Sequence, residues 1–378
     1  MKEGPGAPIG VSRPFAMQLQ LTRNKKPTAI AGLDIEAGSI AATEIRLNGS
    51  AQIAGVAICA LPAGVFHEGE VVERETLAEA LKSLFSEHKL SKRVRLGIGN
   101  QQVLVRTVRL PAIEDPKEME AAVRFQAQEQ IPMPLDQAVL EWQVVGGVPA
   151  EEGAAPQVDV VVIAARRDMI ATFLEPLRIA GLEPVGIDLS AFAMIRALAD
   201  QAGAPDQLQP GEPVHEAQLY CHIGDVTNLA VARGRSCLFT RVSHAGLEEI
   251  SERLGATRGL SPEHAVQWLN HVGLQRSVEE IEGDPETVAE ARLALEEGSA
   301  ALLDELRLSL DYYAAQEAAL PVSQILLSGP GSAIPGLAAR MEERLGSAIR
   351  VVRPQALSGY DDIAAARLTL SYGLGLEA

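Results

Sequence analysis

The chain is poor in cysteine, in aromatic side chains and in positive charge. It has three cysteines among 378 residues, with no C-x-x-C or Cys/His spacing, so neither a disulfide framework nor a zinc site is indicated. Aromatic residues make up only 4%, so the cores must be aliphatic. The formal net charge of −17 argues against a protein whose main role is to bind nucleic acid, because that role requires a cationic surface.

Long hydrophobic runs are also missing. The longest stretch without a polar or charged side chain, residues 53–66, is broken by glycine and proline. It is also shorter than a membrane-spanning helix, which needs about 20 apolar residues. The first 30 residues hold five basic side chains and one acid, and no continuous apolar core of a secretory signal follows them. We therefore expect no transmembrane segment, and a flexible basic arm over residues 1–28.

Two distant segments repeat one local pattern. Residues 28–47 and 218–232 each contain an apolar run, a glycine-bearing turn and a second apolar run, which predicts a strand, a tight turn and a strand. At roughly 100–200 residues per domain the chain is long enough for two packed units. The repetition predicts an α/β protein with two similar domains that face each other.

A different kind of segment interrupts the first half. Asp115, Pro116 and Glu118 form a helix start signal, and the prolines after residue 130 end the helix. Together with predicted strands at 139–145 and 158–165, this helix indicates a compact insert. Further helices are predicted over residues 76–87 and 168–180.

The second half ends in a long helix and a strand-turn-helix unit. The long helix is predicted over residues 292–319, and Gly298 is expected to delay its start. The last unit is a buried strand, a glycine turn and a helix that Pro335 opens and Gly346 closes.

Three of the turns have the composition of phosphate-binding loops. Glycine allows backbone N–H groups to face an anion, a hydroxyl adds a donor, and a strand-end acid such as Asp34 can orient Mg²⁺ through its waters. Each turn alone is a weak signal, whereas three in this order are much more specific. The candidate nucleotide-binding residues are Asp34, Gly38, Ser39, Gly224, Thr227, Gly329, Gly331 and Ser332.

The order of these turns resembles the actin/Hsp70/sugar-kinase superfamily, in which two phosphate loops and an adenosine loop line an interdomain cleft. Residues 110–145 resemble the PilM family of actin-like type IV pilus assembly proteins. The most family-specific stretch is Ile131, Pro132, Pro134, Leu135 and Asp136. The resemblance implies a two-domain actin-like fold with an FtsA-like 1C subdomain insert.

The resemblance also implies a division of the chain. The expected parts are an arm (1–28), subdomain 1A (29–99 and 181–205), the 1C insert (100–180), a linker (206–217), domain II (218–358) and a C-terminal helix that returns to 1A (359–378).

The function that the resemblance implies is that of a scaffold in the cytoplasm at the inner face of the membrane. Its expected partner is the N-terminal cytoplasmic tail of a PilN-like membrane protein, bound in a groove between 1A and 1C. Self-association and contacts with other platform proteins are further expectations. ATP with Mg²⁺ is the cofactor that the family implies.

The nucleotide motifs depart from the family pattern at five positions. Glu36 replaces a glycine, Ala41 a lysine, His222 a strand-end acid and Ser190 a glutamate placed to activate water, while Asp225 adds an acid to the second turn. A carboxylate about 4 Å from a phosphate costs about 1 kcal/mol in water and several in a protein. Nucleotide binding is therefore expected to be weak or lost, and ATP hydrolysis negligible, with no catalytic residue and no metal ligand assigned.

Three alternatives stay open at this point. A sugar or acetate kinase of the same superfamily requires an acidic base and intact phosphate loops. A functional ATP-binding FtsA-like cell-division protein normally ends in an amphipathic membrane helix. A GspL-like type II secretion protein normally continues into a transmembrane helix.

Overall fold

The computed structural model describes residues 29–47, 50–148, 155–201, 216–316 and 319–376. The predicted arm and most of the predicted linker lie outside these residues. Among the described residues, no helix is both long and apolar enough to cross a lipid bilayer.

Strands and helices alternate along the chain. The strands are β1 (Ala29–Ile35), β2 (Ser39–Leu47), β3 (Ala51–Ala60), β4 (Phe66–His67), β5 (Glu70–Val71), β6 (Arg93–Ile98), β7 (Leu104–Pro111), β8 (Ala138–Val148), β9 (Gln157–Arg166), β10 (Glu183–Leu189), β11 (Ala217–Ile223), β12 (Thr227–Arg233), β13 (Ser236–Ser243), β14 (Val322–Ser328) and β15 (Ile349–Val351). The helices are α1 (Arg74–Glu87), α2 (Pro116–Gln130), α3 (Arg167–Ile179), α4 (Ser190–Leu198), α5 (Leu247–Arg258), α6 (Pro262–Val272), α7 (Pro285–Ala314), α8 (Leu337–Leu345) and α9 (Asp362–Gly375).

Two five-stranded sheets share one topology. Their orders are β10-β6-β1-β2-β3 and β15-β14-β11-β12-β13. In the first sheet β1 pairs antiparallel with β2 and parallel with β6. In the second sheet β11 pairs antiparallel with β12 and parallel with β14. The repeated strand-turn-strand pattern in the sequence thus corresponds to two copies of one sheet.

The insert forms a layer of its own. Its sheet has the order β7-β9-β8, and α2 covers it with Met119 and Val123 in a separate core. The Asp115 side chain accepts hydrogen bonds from the Lys117 and Glu118 N–H groups, so it is the helix cap that the sequence predicts. Helix α3 does not belong to this core, because Phe173 and Leu177 pack with the first large sheet.

Two helices lie between the large sheets and position the site. All side chains of α4 are buried, and α9 approaches β1 so closely that a Cβ on Gly32 would lie 2.0 Å from the Ser371 carbonyl oxygen. Only glycine permits this approach. It brings the α9 side chains against the turn that follows β1.

Helix α7 corrects one expectation. It begins at Pro285 with an Asp284 cap and runs through Gly298 without interruption. A Cβ on Gly298 would lie 2.4 Å from Ile250 Cγ1, so this glycine allows α7 to pack closely on α5 rather than delaying the helix. The expected opening of α8 by Pro335 is wrong by two residues, since α8 starts at Leu337, whereas its closure by the left-handed Gly346 is confirmed.

Candidate functional site

The structure brings the three predicted turns together between the two large sheets. The Gly38 N–H of the first turn donates to Asp225 Oδ2 of the second at 3.0 Å. The third turn packs against the end of β11, where a Cβ on Gly331 would lie 2.3 Å from Ile223 Cγ2. We call the space enclosed by these turns the cleft.

Two carboxylates cross the cleft in opposite directions. Asp225 accepts from the first turn, as described, and Glu36 Oε1 accepts from the Asp225 N–H at 3.3 Å. Glu36 lies so close to the second turn that a Cβ on Gly224 would stand 1.9 Å from its Oε1. The backbone N–H groups of Gly38 and Asp225 therefore already bind carboxylate oxygens, in the manner in which such turns bind phosphate.

A cation from the far end of the chain completes the arrangement. Arg367 of α9 forms an ion pair with Glu36, with Nη1 2.6 Å from Oε2, and it also donates to Ser39 Oγ. Both side chains of the pair are largely buried. The sequence gives no local sign of this cation, because 331 positions separate it from Glu36.

The pKa values of two acids of the cleft, Asp34 and Glu36, are raised. Burial, with a smaller contribution from Asp225, raises the pKa of Asp34 to about 7, although Arg367 opposes the shift. Burial and then the Asp225 charge raise the pKa of Glu36 to about 8, against the lowering effect of Arg367. One guanidinium therefore does not balance the acids around it.

The hydroxyl and imidazole groups of the predicted site face the protein. Thr227 Oγ1 donates to the Ala245 carbonyl at 2.6 Å, and Ser332 Oγ donates to the Gly329 carbonyl at 2.6 Å. His222 Nδ1 lies 3.1 Å from Ser328 Oγ, and burial, followed by the Arg367 charge, lowers the pKa of His222 to about 3. These groups stabilise the turns rather than offering donors to the cleft.

The structure shows the surroundings of two residues that depart from the family pattern, Ala41 and Ser190. Ala41, at the family's lysine position, packs in a small apolar cluster with Leu357 and Leu368. Ser190, at the position of the expected glutamate, begins α4 and is buried at the cleft wall. Neither residue supplies a charge to the cleft.

Little free space is left between the first and second turns. The concavity lined by Asp34, Glu36, Ser190, Asp225 and Glu248 has a volume of about 20 Å³, close to the room that one water molecule needs. The crossing carboxylates of Glu36 and Asp225 line this concavity. Glu248, which sequence reasoning missed, adds another acid to this lining.

The family-specific stretch lies away from the cleft, at the end of α2. Ile131 is buried in the insert core, Pro132, Pro134 and Asp136 are exposed, and Leu135 is half-buried. The Gln137 carbonyl beside this stretch accepts from the Arg167 N–H at 2.9 Å. The backbone next to the stretch is thus hydrogen-bonded to the start of α3.

A larger concavity lies between the insert and the two large sheets. It has a volume of about 240 Å³, and residues 103–106 and 240–242 form two of its sides; we call it the insert groove. Each side includes an edge strand, since β7 pairs only with β9 and β13 only with β12 among the described strands. Backbone N–H and C=O groups on such edges are available to an extended peptide.

Comparisons with known proteins agree on one family. The family model described as type IV pilus assembly protein PilM matches residues 32–370. A solved structure described as the PilM-PilN type IV pilus biogenesis complex is 28% identical, covers 92% of this chain and 97% of that chain, and has a TM-score of 0.73. The expected two-domain actin-like fold is thereby confirmed.

Two more distant structures match over similar lengths. The ethanolamine utilization protein EutJ from Carboxydothermus hydrogenoformans is 14% identical, with 93% and 92% of the two chains covered and a TM-score of 0.48. MreB 5 of Spiroplasma citri bound to AMPPNP is 12% identical, with 92% and 95% covered and a TM-score of 0.49. No functional conclusion rests on either similarity.

Proposed function

The chain belongs to the PilM family of type IV pilus assembly proteins, and from this premise we propose that it acts as a scaffold that binds a partner peptide and has lost nucleotide binding. The partner is the N-terminal cytoplasmic tail of a PilN-like membrane protein, which places the chain in the cytoplasm at the inner face of the membrane. The observation that carries the proposal is the occupation of both phosphate turns by Glu36 and Asp225.

Loss of nucleotide binding follows from geometry and charge together. Phosphate oxygens would have to displace two carboxylates from the N–H groups that they occupy, and would then meet those carboxylates at short range. Each like-charge contact at about 4 Å costs about 1 to 4 kcal/mol, depending on the local dielectric. Without the general base that Ser190 replaces, hydrolysis would lose a further factor of about 10² to 10⁴.

The insert groove is the peptide site that we propose. Its walls come from β7 of the insert, from the start of α4 in the first domain and from β13. Val105 belongs to an apolar cluster with Leu189 and Phe192, while Asn228, which also lines the groove, has an Oδ1 atom without a hydrogen-bond partner among the described residues. An extended peptide would add its backbone to an edge strand.

The subdomain division of the actin-like fold stays part of this proposal. The packing of α3 against the first large sheet favours an insert that ends at Arg166 rather than at residue 180. With this boundary, the insert groove is shared by 1A, 1C and domain II. Self-association is compatible with the same scaffold role.

Calorimetric titration of the full chain tests the proposal. A synthetic peptide of the tail should bind the wild type and a Thr107→Trp control, whose substitution is exposed on the same β7 strand. Thr240→Trp fills the groove and should weaken binding at least tenfold, while Mg-ATP should give no binding in the micromolar range. Unchanged peptide affinity in Thr240→Trp, or a low-micromolar constant for Mg-ATP, would contradict the proposal.

A further inference from the structure

A group of metal-ligating side chains lies at the edge of the cleft, between the two domains. His67 lies in the β4–β5 hairpin, whereas Glu248 and Glu252 lie on α5. One ligand atom from each lies within 4.8 Å of the others. The His67 Nδ1 atom is 2.7 Å from Glu248 Oε1 and 3.8 Å from Glu252 Oε1.

Local structure holds these three side chains in place. Glu248 and Glu252 are four residues apart, so they lie on the same face of α5. The hairpin turn is fixed by the Glu68 N–H, which donates to Glu248 Oε2 at 3.0 Å. Glu68 has a positive φ of 49°, a conformation that is uncommon for a residue other than glycine, and this conformation aims its N–H at α5.

The surroundings are short of positive charge. The hydrogen bond that His67 donates to Glu248 raises the pKa of His67, and burial raises the pKa of Glu248, with the Asp225 charge adding to the shift. Glu68 Oε2 lies 3.9 Å from His244 Nδ1. That nitrogen is buried and has no hydrogen-bond partner among the described residues.

We propose that His67, Glu248 and Glu252 bind a divalent first-row transition-metal ion, such as Zn²⁺, which connects the hairpin to α5. One imidazole nitrogen and two carboxylates suit such ions, whereas Mg²⁺ and Ca²⁺ prefer oxygen ligands alone. Zinc bonds of about 2.1 Å in a tetrahedron place the ligand atoms about 3.4 Å apart. The observed 2.7 Å and 3.8 Å separations lie on either side of this value.

Binding of the ion changes the contacts among His67, Glu248 and Glu252. The ion replaces the hydrogen bond between His67 and Glu248, whose proton is released to the solvent, and it adds a bond to Glu252, which now lies 3.8 Å from His67 Nδ1. Since the ligands come from both domains, the ion holds the cleft closed at its edge.

Titration of the untagged full chain with Zn²⁺, and in parallel with Mg²⁺, tests this site. We expect the wild type to bind one Zn²⁺ ion and to bind Mg²⁺ more weakly. The zinc affinity of His67→Ala and of Glu252→Gln should be lower by a factor of about 10 or more. The matched control is Glu249→Gln, an equal charge change at an exposed position of α5, which should bind as the wild type does.

Thermal unfolding separates loss of the site from loss of the fold. Glu252 is 56% exposed, so Glu252→Gln should unfold at the wild-type temperature without metal. Zn²⁺ should raise the midpoint of the wild type and of Glu249→Gln, but not that of Glu252→Gln. Equal zinc affinity in Glu252→Gln and Glu249→Gln, or equal affinity of the wild type for Zn²⁺ and Mg²⁺, would overturn the proposal.

Discussion

The Arg367 guanidinium lies 2.6 Å from the Glu36 carboxylate and joins the last helix, α9, to the turn after the first strand. In the family pattern a lysine at position 41 supplies a cation to this turn, and here Ala41 is buried against α9 instead. The α9 arginine returns a positive charge to the turn. Because Arg367 forms its ion pair with the Glu36 carboxylate, its charge is not available to a phosphate.

Removal of this cation should destabilise the protein in a pH-dependent manner. Arg367→Met keeps an unbranched side chain but leaves Asp34, Glu36 and Asp225 without their cation, and breaking a buried pair costs about 3 to 5 kcal/mol. The loss in the free energy of unfolding should be larger at pH 8.5 than at pH 6, because protonated acids need no partner. Urea unfolding of the variant and of the wild type at both values measures the difference.

The control for this variant is Arg235→Met. Arg235 pairs with Asp200, but both side chains are exposed, and such pairs contribute at most about 1 kcal/mol. Equal losses in the two variants would mean that Arg367 has no special role in the cleft.

The wild-type protein should itself lose stability between pH 6.5 and 8.5. The pKa values of Asp34 and Glu36 are raised to about 7 and about 8, so the folded protein retains protons that the unfolded chain has already released. The free energy of unfolding therefore falls as the pH rises through this range, by about 3 kcal/mol in total. His222, with a pKa lowered to about 3, acts in the opposite direction, mainly below pH 6.5.

Glu36→Gln provides the comparison for this pH effect. The amide cannot ionise, so the variant should lose less than half of the stability that the wild type loses over the same range, as measured by urea unfolding at each pH. Parallel curves for the two proteins would show that the titrating groups lie elsewhere.

Local sequence signals predicted local structure well. The Asp115 cap and the two strand-turn-strand copies depend on neighbouring residues and on alternating burial, both of which are visible in the sequence. Gly298 shows the limit of this reasoning: it reads as a helix interruption, yet Ile250 of another helix decides its role. The propensity of one residue is a weak guide where tertiary packing requires a small side chain.

The candidate site was predictable only in part, for a similar reason. Asp34, Glu36 and Asp225 could be found because they occupy recognisable turns. Arg367 and Glu248 could not be found in this way. Each lies on a helix whose sequence carries no motif and whose position is set by packing. The sequence predicted an excess of acid in the cleft; the crossed hydrogen bonds that fill it are a property of the folded chain.

Emptying the two turns should restore some affinity for nucleotide. The double variant Glu36→Gly/Asp225→Ala removes both carboxylates from the backbone N–H groups of residues 38 and 225, and it leaves Arg367 free to meet a phosphate. We expect Mg-ATP affinity to rise at least tenfold, since each removed like charge contributes about 1 kcal/mol or more, while hydrolysis stays undetectable because Ser190 remains. Calorimetry and phosphate-release assays measure the two quantities.

A control with the same change of net charge keeps this test specific. Glu249→Ala/Asp311→Ala removes two exposed acids from α5 and α7, so it alters the overall field of the protein but not the turns. If this control gains as much Mg-ATP affinity as the cleft variant, the general negative charge of the chain is the barrier. If only the cleft variant gains affinity, the barrier is the pair of carboxylates that stand where phosphate oxygens would bind.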